Sequence, residues 1–280
     1  MKIKSIWDNH LNKYGMPEFC TGHFSLNFSY FQNLVKHKKL TAIDRLIKRL
    51  VLGEILILKR TFSKNITKKI KTNAKRFWDT NDISFHKMYD GCPNFHRIID
   101  NDISKNYSVN RICHTTFFFP WNKDDLGARE IIMNRWRIIK EFTGLRPNEY
   151  EHNIPSLGTC DRIQVVLYPP KHGLLETHSD PHHNQLTFAS GYLSTRGEKN
   201  TYNKGGFYAV GRNNKKIDLE TDIIEGDFAI GLASIKHGVA RIDPEFTGNI
   251  DWSGEHGRWF LGLYSNDSDN VKNRKTAKPA

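Results

Sequence analysis

Residues 174–180 read L-L-E-T-H-S-D, a short apolar run that ends in a His-x-Asp pair. Residues two apart on an extended strand point to the same side, so the imidazole of His178 and the carboxylate of Asp180 can converge on one point. That point suits a metal ion, but one nitrogen and one carboxylate do not complete a site. His237, which follows the apolar run 226–233, is the predicted third ligand.

Two histidines and one carboxylate on one side of a metal leave the opposite coordination positions open. This ligand set is typical of non-heme Fe(II) oxygenases, which bind cosubstrate and oxygen at the open positions. Taken alone, the His-x-Asp motif is weak evidence, because a chain with 13 histidines has a fair chance of containing one. A partly buried histidine beside an aspartate is also often only a satisfied polar pair.

From Asp161 onward, short apolar runs alternate with Gly, Pro and Asn, and eight of them are candidate strands. The candidates are Arg162 to Tyr168, Leu174 to Asp180, Gln185 to Leu193, Gly206 to Gly211, Lys215 to Leu219, Asp227 to Ala233, Gly238 to Ile242 and Arg258 to Tyr264. Eight short strands separated by turn signals predict a sandwich or jelly roll rather than a parallel α/β sheet. The proposed ligands then lie at strand ends near the mouth of a barrel, where small-molecule sites tend to form.

The first 160 residues are helix-rich in pattern. Between Thr41 and Lys59, apolar residues recur at helical spacing among basic ones, which predicts a basic amphipathic helix that covers one face of a sheet. A helix lying on an anionic membrane surface is the alternative. The basic run from Lys64 to Arg76 lacks strong apolar periodicity and is expected to be exposed or mobile. From Asp124 to Gly144, the pattern predicts a core-packing helix.

The composition is basic, with 42 Lys and Arg against 30 Asp and Glu and a formal net charge of +12. Such a charge can attract nucleic acid, acidic membranes or anionic substrates, although a solvated basic surface is the favoured interpretation. The four cysteines form no C-x-x-C pair, which argues against a disulfide framework or a zinc ribbon. No signal peptide and no apolar stretch long enough to span a bilayer is evident, so a cytoplasmic protein without a transmembrane segment is predicted.

Five segments together carry a resemblance to a known family. They are IQVVLYPPKHGLLETHSD (163–180), LTFASGYLS (186–194), KGGFY (204–208), EGDFAIGLASIKHGV (225–239) and GRWFLGLY (257–264). This order resembles the Fe(II)- and 2-oxoglutarate-dependent dioxygenases, in particular their prolyl-hydroxylase-like branch. The resemblance implies a mainly β fold with a helical N-terminal part, in which a double-stranded β-helix, or jelly roll, forms the core and is flanked by α-helices.

Carried over residue by residue, the resemblance makes His178, Asp180 and His237 the iron ligands and the catalytic centre. It makes Arg258 the partner of the distal carboxylate of 2-oxoglutarate, a task that suits the planar fork of donors on a guanidinium. The spacing from His237 to Arg258 is longer than is usual in the family. Arg241, four residues after His237, is therefore a rival for the carboxylate.

Two tyrosines match the family as cosubstrate contacts. Tyr192, in Y-L-S, would share the distal carboxylate, and Tyr168 would contact the cosubstrate from the strand before His-x-Asp. Both can instead be core residues. The K-G-G-F segment departs from the family, which often has an acidic residue after the two glycines. His182 and His183 follow Pro181 beyond the strand end and are expected at the entrance or in solvent.

The resemblance implies that Fe(II), 2-oxoglutarate and O2 are used to hydroxylate an unactivated C–H bond, with release of succinate and CO2 and with ascorbate as a stimulant. The expected substrate is a small molecule or an amino-acid or peptidyl group, and the oligomeric state stays open. A non-catalytic jelly-roll module that binds nucleic acid or an anionic surface is the alternative. Residues 1–160 are predicted to pack on the core, 161–266 to form it, and 267–280 to be a disordered tail.

Overall fold

The computed structural model describes residues 2–254 and 256–280. In these ranges the helices are α1 (Lys2–Tyr14), α2 (Phe28–Lys36), α3 (Leu40–Val51), α4 (Lys64–Thr80), α5 (Asn101–Ser104) and α6 (Arg129–Phe142). The strands are β1 (Gly22–Asn27), β2 (Glu54–Lys59), β3 (Phe95–Ile99), β4 (Arg111–Phe118), β5 (Thr159–Tyr168), β6 (Leu174–Ser179), β7 (Thr187–Tyr192), β8 (Gly206–Val210), β9 (Lys216–Asp218), β10 (Phe228–Leu232), β11 (His237–Ala240), β12 (Arg258–Asp267) and β13 (Lys278–Pro279). No helix in these ranges is long and apolar enough to cross a bilayer.

The strands form a mixed sheet that rolls into a jelly roll. Their order is β1-β2-β10-β7-β12-β5-β4-β6-β11-β8-β9, with β3 added beside β4 and β13 beside β6. Strand β4 joins the two halves, because its first residues pair with β6 and its later residues pair with β5. Each of the eight predicted strands overlaps one of β5 to β12. The predicted fold class, a mainly β jelly roll flanked by helices, is confirmed.

The single helix predicted between Thr41 and Lys59 is wrong in its second half. Helix α3 ends at Val51, and Gly53 turns the chain with a positive φ of 99°. Residues 54–59 then form β2, which pairs in parallel with β1 and antiparallel with β10. Because β2 is buried on both faces, it shows a continuous apolar run instead of an alternating one. Such a run cannot be told from a buried helical segment by periodicity alone.

The prediction that the basic run from Lys64 to Arg76 is exposed is wrong for part of its residues. The run forms most of α4, which buries Ile70, Ala74, Phe77 and Trp78 along one stripe. The two largest members of that stripe follow the end of the basic run. Their contribution is therefore missed when the run is considered by itself, and the lysines occupy the solvent side of an amphipathic helix.

Helix α6 confirms the core-packing helix predicted between Asp124 and Gly144. It buries Ile132, Trp136 and Phe142 among other residues. The helix begins later than predicted, because the carboxylate of Asp124 accepts hydrogen bonds from the backbone N–H groups of residues 127 and 129 in a preceding turn. Gly144, with a φ of 83°, turns the chain just after the helix.

The first 160 residues supply four strands of the sheet as well as its helices, so they do more than cover the barrel. At the other end of the chain, the sequence predicts disorder for residues 267–280, whereas β13 pairs with β6 opposite Ser179 and His178. Strand β4 pairs with β6 only at Leu174 and Leu175, which leaves the rest of that edge free. The backbone of the tail satisfies this edge. The domain boundaries stay predictions.

Candidate active site

His178 and His237 lie directly opposite each other in the antiparallel pair of β6 and β11. Their ring centroids are 4.5 Å apart. The register shifts just beyond this pair, because Val239 is opposite Leu175, so three steps along β6 match two along β11. This β-bulge re-aims side chains on β6 and places Leu175 and His178 on the wall of the same cavity. Asp180 follows the strand, and its backbone N–H donates to the Ala233 carbonyl at 2.9 Å.

The two imidazoles are held in the orientation that a metal site requires. His178 Nδ1 lies 2.9 Å from the Glu176 carbonyl, and His237 Nδ1 lies 2.8 Å from the Ile235 carbonyl. Because a carbonyl oxygen only accepts, each ring carries its proton on Nδ1 and presents a bare Nε2. Each Nε2 lies 3.6 Å from a different carboxylate oxygen of Asp180.

The charges of the three groups also fit a divalent cation. Burial, aided by the neighbouring His178, lowers the pKa of His237 to about 4, so its imidazole is neutral at neutral pH. Burial opposes ionisation of Asp180, but the proximity of His237 and His178 outweighs burial and holds the carboxyl pKa below its usual value. Neutral imidazole and ionised carboxylate are the species that bind metals. One ligand atom from each lies within 4.8 Å of the other two.

Arg258 begins β12 and lies opposite Tyr168 on β5. Its side chain is 1% exposed, and its Nε donates to the Glu220 carboxylate at 2.5 Å. The two terminal nitrogens of Arg258 and the hydroxyl of Tyr192 are buried without a hydrogen-bond partner. The guanidinium carbon lies 5.2 Å from the centre of the Tyr192 ring. Unpaired buried donors are rare and costly, so this group of donors is suited to an acceptor such as a carboxylate.

Glu220 is a site residue that the sequence reasoning missed. Its carboxylate also accepts from the Tyr202 hydroxyl at 2.5 Å and from the Phe207 backbone N–H at 2.8 Å. Burial opposes the charge of Arg258, but Glu220 outweighs burial and raises the pKa of the guanidinium. The K-G-G-F segment makes room for this carboxylate, because a Cβ on Gly206 would lie 2.3 Å from the Glu220 Cγ. In the sequence, only the two adjacent glycines at the start of β8, Gly205 and Gly206, indicate that another group approaches the backbone closely here.

The remaining candidates lie in different surroundings. Arg241 is exposed and donates to the Lys171 carbonyl, whereas Arg258 is buried beside Tyr192. Tyr168 is 4% exposed and lines the same cavity as His178 and Asp180. His182 is exposed, and His183 lies at the surface with Nε2 2.7 Å from the Asp267 carboxylate. The site roles of all these residues stay predictions.

A cavity of about 420 Å³ adjoins the metal-ligand candidates. Its walls are the inner faces of β3, β4, β5 and β12, together with residues 274–277 of the tail. Its volume lies within the range of small-molecule sites in proteins.

No protein-family model matches the chain, and no curated protein sequence matches it. Solved structures do share its fold. A C-terminally truncated protein of Neurospora crassa, solved in its apo form, is 13% identical, with 86% of this chain and 94% of that chain covered and a TM-score of 0.52. A prolyl hydroxylase of Trichoplax adhaerens, in complex with a hypoxia inducible factor peptide fragment, is 14% identical, with 85% and 91% covered and a TM-score of 0.51.

A 2OG-Fe(II) oxygenase family protein of Caulobacter crescentus is 10% identical, with 87% of this chain and 86% of that chain covered and a TM-score of 0.50. At these identities the likeness concerns the fold. The resemblance to prolyl-hydroxylase-like oxygenases that the motifs predict is thereby confirmed at the level of the fold.

Proposed function

We propose that this protein is an Fe(II)- and 2-oxoglutarate-dependent dioxygenase that hydroxylates a C–H bond of its substrate and releases succinate and CO2. The observation that carries the proposal is the arrangement of three ligand atoms at the ends of β6 and β11. Two Nε2 atoms, fixed by backbone carbonyls behind them, both face one ionised carboxylate. A merely satisfied polar pair does not require a second histidine in the same orientation.

His178, Asp180 and His237 would hold the metal, and the metal with 2-oxoglutarate would supply the activation of oxygen. The chain's own contribution is orientation. The Nδ1 contacts fix both rings, and such partners behind the ligands tune metal affinity. Asp180 supplies negative charge to the site. Its presence, where a halogenase would carry a small residue, favours hydroxylation over halogenation.

Arg258 and Tyr192 would hold the distal carboxylate of 2-oxoglutarate. Both terminal nitrogens of Arg258 and the Tyr192 hydroxyl are buried donors without an acceptor, which a carboxylate would satisfy. Tyr168 lies across from Arg258 and would close the same pocket. The full-length form of the Neurospora crassa protein, which has the same fold, was solved in complex with alpha-KG, and this supports 2-oxoglutarate as the cosubstrate. The cytoplasmic location and the stimulation by ascorbate stay predictions.

The proposal is tested by succinate formation. Purified protein supplied with Fe(II), 2-oxoglutarate and O2 should convert 2-oxoglutarate to succinate, faster when a substrate is present among free amino acids, peptides and small anionic metabolites. Asp180→Ala should abolish the activity, whereas His182→Ala, which changes an exposed histidine nearby, should retain it. A wild-type protein that neither binds Fe(II), Mn(II) or Co(II) nor consumes 2-oxoglutarate would contradict the proposal.

A further inference from the structure

The cavity beside the metal-ligand candidates carries an excess of positive charge. Six cationic side chains and three carboxylates line it. Each carboxylate already has partners: Asp180 belongs to the triad, Asp267 contacts His183 at 2.7 Å, and Asp269 pairs with Arg274 at 2.8 Å. The remaining cations therefore face the cavity without an anionic partner of their own.

Arg97, Arg111 and Arg162 form the centre of this charge. They come from the neighbouring strands β3, β4 and β5. Within residues 2–254 and 256–280 none of them forms an ion pair, and the Arg162 terminal nitrogen donates to the Gln164 side chain at 3.2 Å. The Nε of each is buried and lacks a hydrogen-bond partner. Aromatic rings support the planar groups. The guanidinium carbons of Arg97 and Arg162 lie 4.7 and 4.8 Å from the centre of the Phe117 ring, and that of Arg111 lies 4.7 Å from the Tyr107 ring centre.

This arrangement is unfavourable without a ligand. Burial, together with the charges of Arg97 and Arg111, lowers the pKa of Arg162 to about 10. Like charges that share a partly desolvated space repel each other, and a bound anion removes both the repulsion and the unpaired donors. The neighbouring rings restrict the three guanidinium groups, so little ordering is needed when an anion arrives.

We propose that Arg97, Arg111 and Arg162 bind a phosphate group on the primary substrate, so that this substrate is a small phosphorylated molecule. The inference rests on the proposed oxygenase function and specifies its substrate class. A phosphate monoester carries nearly two negative charges and three acceptor oxygens, which suit three guanidinium forks. A single carboxylate carries only one negative charge and would compensate less of this charge than a phosphate does.

The proposed cosubstrate residues lie apart from Arg162 along β5. Arg162 and Tyr168 face the same side of β5, and Tyr168 lies opposite Arg258. Six residues of extended strand separate the two positions along β5, a distance of about 20 Å. 2-Oxoglutarate held at Arg258 and Tyr192 therefore leaves Arg162, nearer the start of β5, without an anionic partner. His178 and Asp180 line the cavity as well, so a molecule held at the arginines lies beside the metal-ligand candidates.

The cover of the cavity favours a small molecule over a polymer. Residues 274–277 line it, and β13 continues this segment by pairing with β6 at His178 and Ser179. The Ser108 hydroxyl also contacts the Ala277 carbonyl at 3.4 Å. A volume of about 420 Å³ suits a metabolite.

Calorimetric titration with inorganic phosphate tests the proposal on full-length protein loaded with Co(II) and 2-oxoglutarate. Phosphate affinity should fall at least about tenfold in Arg162→Gln and in Arg111→Gln. Arg212→Gln, which removes the same charge from an exposed turn, should retain wild-type affinity. Arg162→Lys keeps the charge but loses the fork and should give an intermediate loss. Equal affinity in all variants, or no phosphate binding by the wild type, would overturn the proposal.

Two further measurements keep the result independent of folding defects and of the proposed oxygenase function. Wild-type protein should gain thermal stability from phosphate but not from chloride at equal ionic strength, and equal effects of the two anions would count against the site. If Arg162→Gln weakens 2-oxoglutarate binding and leaves phosphate binding unchanged, the arginines belong to the cosubstrate and the inference fails. Phosphate binding by the arginines in a protein that binds neither Co(II) nor 2-oxoglutarate would support the phosphate site and refute only the oxygenase function.

Discussion

Arg258 and the cluster of Arg97, Arg111 and Arg162 differ in how their positive charge is balanced. Arg258 is paired with Glu220 inside the protein, and only its outer nitrogens lack partners. Arg97, Arg111 and Arg162 are partly exposed, with aromatic neighbours and no carboxylate of their own. Positive charge alone therefore does not identify a ligand. An arginine balanced by a carboxylate suits one further carboxylate, whereas a cluster without carboxylates suits a more highly charged anion.

The largest effect is expected at the metal-ligand candidates, which lie beside the cavity of the arginine cluster. His178→Ala and Asp180→Ala should each lower the affinity for Co(II) by about 100-fold or more, since even groups behind the ligands contribute roughly 10- to 100-fold. Calorimetry of the apo-protein measures this change. His182→Ala is the matched control and should bind Co(II) like the wild type. Unchanged Co(II) affinity in both variants would mean that His178 and Asp180 do not bind the metal.

Loss of the Glu220 carboxylate should leave the positive charge of Arg258 unbalanced. Glu220→Gln leaves the buried charge of Arg258 unpaired, and removing one partner of a buried ion pair typically costs about 3–5 kcal/mol. Thermal or urea unfolding measures the loss. Glu245→Gln, which removes an exposed partner of Lys204, should change stability little. If Glu220→Gln is as stable as Glu245→Gln, the pair with Glu220 does not distinguish Arg258 from the arginine cluster.

A smaller effect is expected from the hydroxyl of Tyr192. Tyr192→Phe should weaken 2-oxoglutarate binding roughly threefold to tenfold, in line with about 0.5–1.5 kcal/mol for one hydrogen bond. Its stability should not fall, because the hydroxyl has no partner within the described residues. Tyr202→Phe is the contrasting variant, since its hydroxyl donates to Glu220, and it should lose stability. Equal behaviour of the two variants would mean that Tyr192 is only a core residue.

The sequence predicted the parts of this site that lie within single strands or motifs. His-x-Asp, the apolar run before His237 and G-R before an aromatic strand are local patterns. The structure brings the three metal-ligand candidates together and starts a strand at Arg258, as these patterns predict. Strand β2 was missed because a strand buried on both faces has no alternation to reveal it.

The arginine cluster could not be found from the sequence. Its members come from three separate stretches and become neighbours only when β3 pairs with β4 and β4 with β5. Their charges were counted within a net charge of +12 and interpreted as part of a solvated basic surface. Glu220 was missed for the same reason, since its contact with Arg258 spans 38 residues and depends on the space at Gly206.

The central claim is that Arg258, and not the arginine cluster, binds 2-oxoglutarate. Titration of 2-oxoglutarate into Co(II)-loaded Arg258→Gln and Arg162→Gln measures this. Removing the bidentate partner of a buried carboxylate costs about 2–5 kcal/mol, so Arg258→Gln should raise the dissociation constant of 2-oxoglutarate about thirtyfold or more. Arg162→Gln should leave it near the wild-type value, as should the exposed control Arg241→Gln. A large loss of 2-oxoglutarate affinity in Arg162→Gln or Arg241→Gln, with Arg258→Gln unchanged, would mean that Arg258 does not bind the cosubstrate.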